Sequence, residues 1–229
     1  VSLALLGENR VQLLVADAYL DYAKENEITV FLDFGWIKNA FIADYLAENL
    51  AQSGYTNGYL VSHDGFTRNL DTRDVPYGLN LFDRLENTVF MPVQLSYTGP
   101  MSIVSLRNYP LSEKDRWNYY AYEDGTVTSV YLNEATGMPL SATDNLVSYS
   151  REAGCAEILM QTAPLFLAET FDEAQVLKLA EKEIHSIWAE EQMIFHTQED
   201  ADLTLLAESG FTRCEIIGSG TVPYAGYMD

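Results

Sequence analysis

The chain has 229 residues, of which 48% are hydrophobic, and a formal net charge of −21 from 34 acidic and 13 basic residues. This apolar content is sufficient for a buried core, which excludes a disordered or fibrous chain. The negative charge would repel a phosphate backbone, so we expect no nucleic-acid partner. Solubility is the first explanation of the charge, and metal capture by carboxylates is the alternative.

Several features bear on the compartment of the protein, and none of them assigns it. Cys155 and Cys214 have no CxxC spacing, so we expect two unrelated core thiols. No membrane span is expected, since no window approaches the roughly 18 apolar residues that a spanning helix needs. The first residues lack a basic segment followed by a cleavage site, and because the chain begins with Val1 we expect a leader or other residues just upstream. A cytoplasmic and an exported location both stay open.

The first third of the chain alternates strand and helix patterns. Residues 28–34 (ITVFLDF) form an apolar, β-branched and aromatic run that ends at Gly35, which predicts a buried strand. Apolar residues then recur at helical spacing as far as Gly54, which is placed to end a helix. These apolar residues are Phe41, Ile42, Tyr45, Leu46 and Leu50. Residues 58–65 (GYLVSHDG) predict a second strand that ends in a polar turn.

The middle of the chain, residues 79–130, contains short strand-like runs separated by turns. The runs include VFMPVQLSY, MSIVSL, WNYYAY and TVTSVYL. The dipeptide Asp124-Gly125, just before the last run, is a hairpin signal. This pattern predicts an antiparallel sheet.

The last third of the chain predicts two helices and two strands. Residues 152–168 are apolar and typical of a helix, in which Pro164 marks a kink or a boundary. Thr170 and Glu173 have the spacing of a capping box and predict the start of another helix. MIFHT and CEIIGS predict closing strands. Because no repeat or linker divides the chain, we predict one bilobed α+β domain over residues 1–229, a mixed sheet with helices packed on it.

Five short segments carry a further pattern. In chain order they are residues 33–44 (DFGWIKNAFIAD), 60–66 (LVSHDGF), 104–109 (VSLRNY), 130–139 (VYLNEATGMP) and 155–163 (CAEILMQTA). Their order and spacing resemble the motifs of the ApbE family, whose members move FMN from FAD onto a threonine or serine of a target protein using magnesium. The resemblance covers roughly residues 28–200 and implies an ApbE-like fold. Family members carry a longer segment before the first motif, so this part of the domain is expected to be reduced or missing here.

The first motif is where the resemblance implies catalytic residues. The residues that match the family are Asp33, Gly35, Ile37 and Asp44. Asn39 stands at the position of the family's lysine, Lys38 at that of the neighbouring alanine, and Trp36 at that of a glycine. By resemblance, Asp44 and Lys38 are the expected catalytic residues, and Gly35 and Asn39 are expected to contact the cofactor.

The next three motifs imply further cofactor contacts. The family has two adjacent glycines against the nucleotide, whereas here Gly65 follows Asp64. An aspartate adds bulk and negative charge where a diphosphate would lie, so we expect weaker phosphate binding. The other residues that the resemblance assigns to the cofactor are Ser105, Thr136 and Gly137.

The metal and proton-transfer groups of the family are altered in this chain. Thr162 matches the magnesium-binding threonine, and Glu157 reaches the place of the magnesium-binding aspartate only with a one-residue shift, since strict spacing places Ile158 there. The family's histidine falls on Val130, which cannot titrate. FAD and magnesium are thus the cofactors that the resemblance implies. No zinc or haem is expected, and the widely separated histidines lack the spacing of a zinc site.

Three functions remain open. One is a diverged ApbE-like protein without standard FMN transfer, which binds a flavin nucleotide or another ligand in the ancestral cleft. The second is an active, magnesium-dependent flavin transferase or FAD hydrolase with a rearranged site. The third is a non-catalytic module for a protein partner, in which Trp36 fills the space of the flavin. Structural roles are the alternative for Asp33, Lys38 and Asp44, because acidic residues favour helix N-termini and most lysines are solvated.

Overall fold

The computed structural model describes residues 2–32, 34–85, 88–111, 115, 119–123, 127–133, 137, 139–206 and 213–216. The chain divides into two units, Val1–Gly35 and Trp36–Asp229. Within the described residues, no helix is long and apolar enough to cross a membrane. The predicted single domain over residues 1–229 stays a prediction.

The first unit consists of a β-hairpin and a short helix. Strands β1 (Ser2–Gly7) and β2 (Arg10–Leu14) pair antiparallel across a turn at Glu8 and Asn9. Both turn residues have positive φ, 50° and 60°, as a two-residue hairpin turn of matching twist requires. Helix α1 (Asp17–Glu25) follows.

The predicted buried strand over residues 28–34 is wrong. The described part of this segment joins no sheet, and Val30 and Phe34 are 63% and 61% exposed. The chain instead leaves α1 through a helix-terminating turn, in which Glu27 has a φ of 56° and the Ile28 N–H donates to the Ala23 carbonyl. An apolar run alone does not make a strand, because a strand also needs a neighbour for its backbone hydrogen bonds.

The second unit contains three sheets and three helices among its described residues. Its strands are β3 (Tyr59–Val61), β4 (Phe66–Asn69), β5 (Pro76–Leu85), β6 (Thr88–Thr98), β7 (Met101–Arg107), β8 (Tyr119–Ala121), β9 (Val127–Ser129), β10 (Asn145–Ser150), β11 (His185–Glu190), β12 (Met193–His196), β13 (Asp202–Leu205) and β14 (Arg213–Ile216). Its helices are α2 (Lys38–Gln52), α3 (Cys155–Phe166) and α4 (Glu173–Ala180). The strand order is β14-β12-β11-β10-β7-β4-β3 in the largest sheet, β13-β6-β5 in the second and β8-β9 in the third.

The two faces of the seven-stranded sheet bury different cores. Pairing is antiparallel except between β12 and β14, so side chains alternate between the faces along each strand. Val104 and Trp188 lie on the face that packs against the helices. Ile103 and Ile187, one position before each, pack with residues of β5 and β6. The second unit is therefore three-layered, with helices on one face of its main sheet and a small sheet on the other.

Helix α2 confirms the predicted helix but buries another face. It ends at Gln52, and Gly54 beyond it has a φ of 83°. Its buried residues are Ala40, Ala43 and Ala47, whereas Phe41 and Tyr45 are 52% and 67% exposed. Small side chains allow close approach to the neighbouring sheet and helix, which explains why alanines rather than the larger apolar residues face the core.

The C-terminal helices are confirmed, with one corrected boundary. Pro164 lies inside the last turn of α3, two residues before the helix ends at Phe166, so it lies near a boundary and not at one. Helix α4 begins at Glu173, and its N-cap is Asp172, whose Oδ1 accepts from the Gln175 N–H. The predicted cap at Thr170 is therefore wrong by two residues, because an aspartate nearer the helix makes the same bond.

The strand predictions hold for most of the second unit. The hairpin β8–β9 is present, although its signal Asp124-Gly125 lies outside the described residues. The predicted closing strands correspond to β12 and β14. Strand β11, between α4 and β12, was not predicted from the sequence. The predicted α+β class is confirmed.

Candidate functional site

The first turn of α2 is bonded to the turn between β3 and β4. The Asn39 side-chain amide donates to a carboxylate oxygen of Asp64. The Asp64 backbone N–H also donates to the Ser62 hydroxyl oxygen, at 3.3 Å, which stabilises the turn. The structure thus brings together Asn39 and Asp64, the two residues that by resemblance stand at the positions of a lysine and a glycine.

A groove of about 380 Å³ lies beside this hydrogen bond. Its lining residues come from α2, β3 and the turn after β3 and are Asn39, Ile42, Ala43, Leu46, Leu60, Val61, Ser62, His63 and Asp64. The walls are aliphatic, and the polar residues lie on the Asp64 side. The groove therefore presents one carboxylate beside an apolar surface, which differs from a site built for phosphate.

Gly65 and Ser105 are in direct backbone contact. Gly65 has a φ of 93°, and a Cβ added to it would lie 2.3 Å from the Ser105 carbonyl oxygen. The Ser105 N–H donates to the Gly65 carbonyl at 2.9 Å. Both residues were predicted to bind the cofactor, and the structure brings them together. The packing of two strands is sufficient to require glycine at position 65.

Asp44, a predicted catalytic residue, joins three elements. It lies in the second turn of α2 and forms an ion pair with Arg68 of β4. Its oxygens also accept the backbone N–H groups of Cys155 and Ala156 at 2.9 and 2.8 Å. These are unpaired donors at the N-terminus of α3, so Asp44 caps that helix from a neighbouring one. The catalytic role of Asp44 stays a prediction.

The remaining residues of the first and fourth motifs are placed as follows. Lys38 is the first residue of α2 and is exposed. Gly35 belongs to the first unit and has a φ of 49°. Gly137 is exposed with a φ of 66°, and its N–H donates to the Asn133 carbonyl. Asp33 and Thr136 lie outside the described residues.

The two predicted metal ligands, Glu157 and Thr162, lie on different sides of α3. Thr162 is 1% exposed, and its hydroxyl donates to the Ile158 carbonyl at 2.8 Å. Glu157 is exposed in the first turn of the helix. Residues five apart on a helix point about 140° away from each other, so this pair does not converge on one ion. Among the described residues, no three His, Cys, Asp or Glu side chains could hold a metal.

Trp36 packs on the core of the second unit. Its ring is stacked on Phe66 with centroids 6.3 Å apart and meets the edge of Tyr131 at 4.6 Å. Tyr131 in turn contacts Phe166 of α3. Burial raises the pKa of the Tyr131 hydroxyl. The sequence leaves two interpretations of Trp36, a core anchor and a side chain that fills the space of the flavin. These contacts favour the core anchor, and they also agree with the second interpretation.

Asp83 and Asn145 form a buried polar pair that was not predicted from the sequence. The Asn145 amide donates to Asp83 Oδ1 at 2.8 Å, and its carbonyl accepts the Ala189 N–H at 3.0 Å. Burial is the main cause that raises the pKa of Asp83 to about 6. The feature of the sequence that could have indicated this pair is Asp83 itself, an aspartate within the apolar run of β5. Its bonds tie β5 to β10 and β11, which is a structural role.

A second missed cluster surrounds Asp71, after β4. Asp71 is buried and accepts hydrogen bonds from the Arg73 guanidinium and, at 2.5 Å, from the Tyr77 hydroxyl. These bonds, first of all that from Arg73, hold the pKa of Asp71 well below its usual range. The cluster fixes the loop between β4 and β5 and lies outside the groove lining.

Comparison with known proteins identifies a structural relative. No protein-family model and no curated protein matches the chain. Among solved structures, it is similar to the ApbE protein from Thermotoga maritima MSB8, with a TM-score of 0.51 and 14% sequence identity. The match covers 77% of this chain and 52% of that protein, so the chain spans about half the length of its relative. At this identity the likeness concerns the fold alone. The chain has an ApbE-like α+β fold, as the motif order predicted.

Proposed function

We propose that this chain is an ApbE-like protein in which FMN transfer is lost or strongly reduced, and that its groove binds a different ligand or partner. The observation that carries the proposal is the hydrogen bond between Asn39 and Asp64. It joins the two positions at which the resembled family has a lysine and a glycine, beside the groove.

The charge at this point opposes a dinucleotide. A lysine would attract a diphosphate, whereas Asn39 is neutral and Asp64 is an anion. At an effective dielectric constant of 20, two unit charges 8 Å apart repel each other by about 2 kcal/mol. A ligand that is neutral or cationic at this end and apolar along the groove suits the lining better.

The metal and proton-transfer positions support the same proposal. Thr162 is bonded within its own helix, and Ile158, at the strict place of the family's aspartate, is buried and apolar. Magnesium requires several oxygen ligands in near-octahedral geometry, which these two residues do not offer. Val130 packs against the core where the family has its histidine, so this side chain supplies no general acid or base.

The test is a direct transfer assay. Purified protein is incubated with FAD, magnesium and an acceptor protein that carries the target threonine, and an active ApbE transferase serves as the positive control. We expect covalent flavin fluorescence on the acceptor only in the control. Flavinylated acceptor formed by this chain, and lost on omission of magnesium, would establish the active transferase instead.

A further inference from the structure

A second cavity lies in the same unit, between the seven-stranded and three-stranded sheets. Its volume is about 350 Å³, within the range of small-molecule sites. Its walls come from β6, the end of β10, the start of β11 and the loop before β13. It lies at the Met101 end of β7, whereas Gly65 contacts Ser105 toward the other end of that strand. The cavity is therefore distinct from the groove.

The floor of this cavity is apolar and aromatic. Leu95, Met101 and Tyr149 line it and belong to the core between the two sheets. Tyr97 adds a second aromatic ring to the lining. Such a surface can bury a methylene chain, and the faces of tyrosine rings attract cations.

The rim carries an excess of negative charge. Its exposed carboxylates are Glu152, Glu183, Asp200 and Asp202. The guanidinium of Arg151, also in the lining, donates to the carbonyls of Thr98 and Pro100 at 2.7 and 3.4 Å. Within the described residues Arg151 forms no ion pair with these carboxylates, whereas Nε2 of the lining residue His185 lies 3.6 Å from the Glu183 carboxylate. A cationic ligand is therefore favoured on the rim.

One rim carboxylate is held in place by residues that reach it from the core. The hydroxyl of the buried Tyr149 donates to Gln198 Oε1 at 2.8 Å, and Gln198 Nε2 donates to Asp200 Oδ1 at 2.9 Å. The Gln198 carbonyl also lies 2.9 Å from Nδ1 of the buried His196. Asp200 is thus oriented before any ligand binds, which lowers the entropy cost of binding.

The rim carboxylates come from three segments of the chain, at Glu152, at Glu183 and at Asp200 and Asp202. Within the described part of the chain, no three metal-ligating side chains converge on a single ion. Carboxylates spread around an apolar floor match a ligand whose positive charges are separated by methylene groups. We propose that this cavity binds a linear aliphatic diamine or polyamine, with its ammonium groups at the rim and its chain over Leu95, Met101 and the tyrosine rings. The proposal is independent of the function of the groove.

Calorimetric titration of the full chain at low salt tests the proposal. Spermidine is the probe, butylamine tests the need for separated charges, and magnesium chloride tests simple counterion binding. We expect spermidine to bind at least tenfold more tightly than butylamine and to remain bound at an equal concentration of magnesium. The double variant Glu152→Gln/Asp200→Asn should weaken spermidine binding at least tenfold.

A matched control separates the cavity from the overall charge. The variant Glu48→Gln/Glu173→Gln removes the same two charges from exposed helix positions outside the cavity, and it should bind spermidine within twofold of the parent. Absence of binding at 1 mM spermidine, equal weakening in both variants, or full displacement by equimolar magnesium would each overturn the proposal. If Asp200→Asn disturbs folding through Gln198, Glu152→Gln/Asp202→Asn makes the same test.

Discussion

The carboxylate of Asp44, on α2, accepts a hydrogen bond of 2.9 Å from the backbone N–H of Cys155, the first residue of α3. The same carboxylate accepts from Ala156 and pairs with Arg68, whose side chain is only 19% exposed. The Asp44 carboxylate therefore accepts hydrogen bonds from the first N–H groups of α3 and pairs with a mostly buried cation of β4. Removing it leaves three partners without a hydrogen bond.

The first prediction concerns this carboxylate. Asp44→Ala should lower the free energy of unfolding by about 3 kcal/mol, because it leaves a largely buried guanidinium and two N–H groups unpaired. Urea denaturation followed by circular dichroism measures the loss. The control is Glu48→Ala, an exposed position on the same helix, which should change stability by no more than about 0.5 kcal/mol.

The ion pair itself is measured by a double-mutant cycle. Arg68→Met in the Asp44→Ala background should recover at least about 1 kcal/mol, since the unpaired cation is then absent. Additive effects of the two substitutions would show that Asp44 and Arg68 are not energetically coupled.

The second prediction concerns Gly65. Alanine there would place its Cβ 2.3 Å from the Ser105 carbonyl at a φ of 93°, so Gly65→Ala should cost about 3 kcal/mol or more from clash and backbone strain together. Gly137→Ala is the comparison, because Gly137 has a φ of 66° but open space around its Cα. It should cost only about 1 kcal/mol. Equal losses at the two sites in thermal unfolding would contradict a packing role for Gly65.

The helices show how far sequence patterns reach. The spacing of apolar residues and Gly54 predicted the extent of α2, since these signals are local. The pattern did not predict that Ala40, Ala43 and Ala47 face the core, because that choice depends on how closely neighbouring elements approach. The strand prediction for residues 28–34 was wrong for a related reason, because strand formation depends on a partner strand elsewhere in the chain.

The order of the motifs along the chain could be recognised in the sequence, but the hydrogen bonds between their residues could not. The resemblance implied that positions 39 and 64 both lie against the nucleotide, but nothing local in the sequence indicates that two residues 25 positions apart share a hydrogen bond. Similarly, the pattern that suggested Asp44 for catalysis has no means of showing its bonds to Arg68 and α3. Non-local contacts arise from the topology, which sequence spacing does not contain.

The third prediction concerns the thiol of Cys155. This side chain is fully buried, its Sγ donates to the Thr67 carbonyl at 3.3 Å, and burial first and the nearby Asp44 second raise its pKa to about 12. Because only the thiolate reacts, native protein should be modified at least 100-fold more slowly than urea-unfolded protein by a thiol reagent at pH 8. The measurement uses a Cys214→Ser background to isolate Cys155. Rapid stoichiometric labelling of the native state would contradict this burial.

The fourth prediction concerns pH. Burial raises the pKa of Asp83 to about 6 from its ordinary value of 3.8. Between these values the native state retains a proton that the unfolded state has lost, so this residue lowers stability as pH rises through the interval. Asp83→Asn keeps an acceptor for Asn145 without the charge. It should therefore stabilise the protein at pH 8 by about 2 kcal/mol and have a much smaller effect at pH 4, where Asp83 is largely protonated in the native state and about half protonated in the unfolded state. Urea denaturation of the variant and the parent at both pH values measures the change in the free energy of unfolding. An equal change at the two pH values would show that the charge of Asp83 does not cause it.

The last prediction tests why the groove disfavours a flavin nucleotide. Asn39→Lys/Asp64→Gly replaces a neutral residue and an anion by a cation and an uncharged residue, at the two positions that are bonded to each other in this chain. The change should raise the affinity for FAD with magnesium at least tenfold, because one repulsion is removed and one attraction is added. Each single substitution should give a smaller gain, and calorimetric titration measures all four proteins. Affinity for FAD that is unchanged in the double variant would mean that other features of the groove exclude the nucleotide. Micromolar binding by the parent chain would instead show that Asp64 does not oppose the diphosphate.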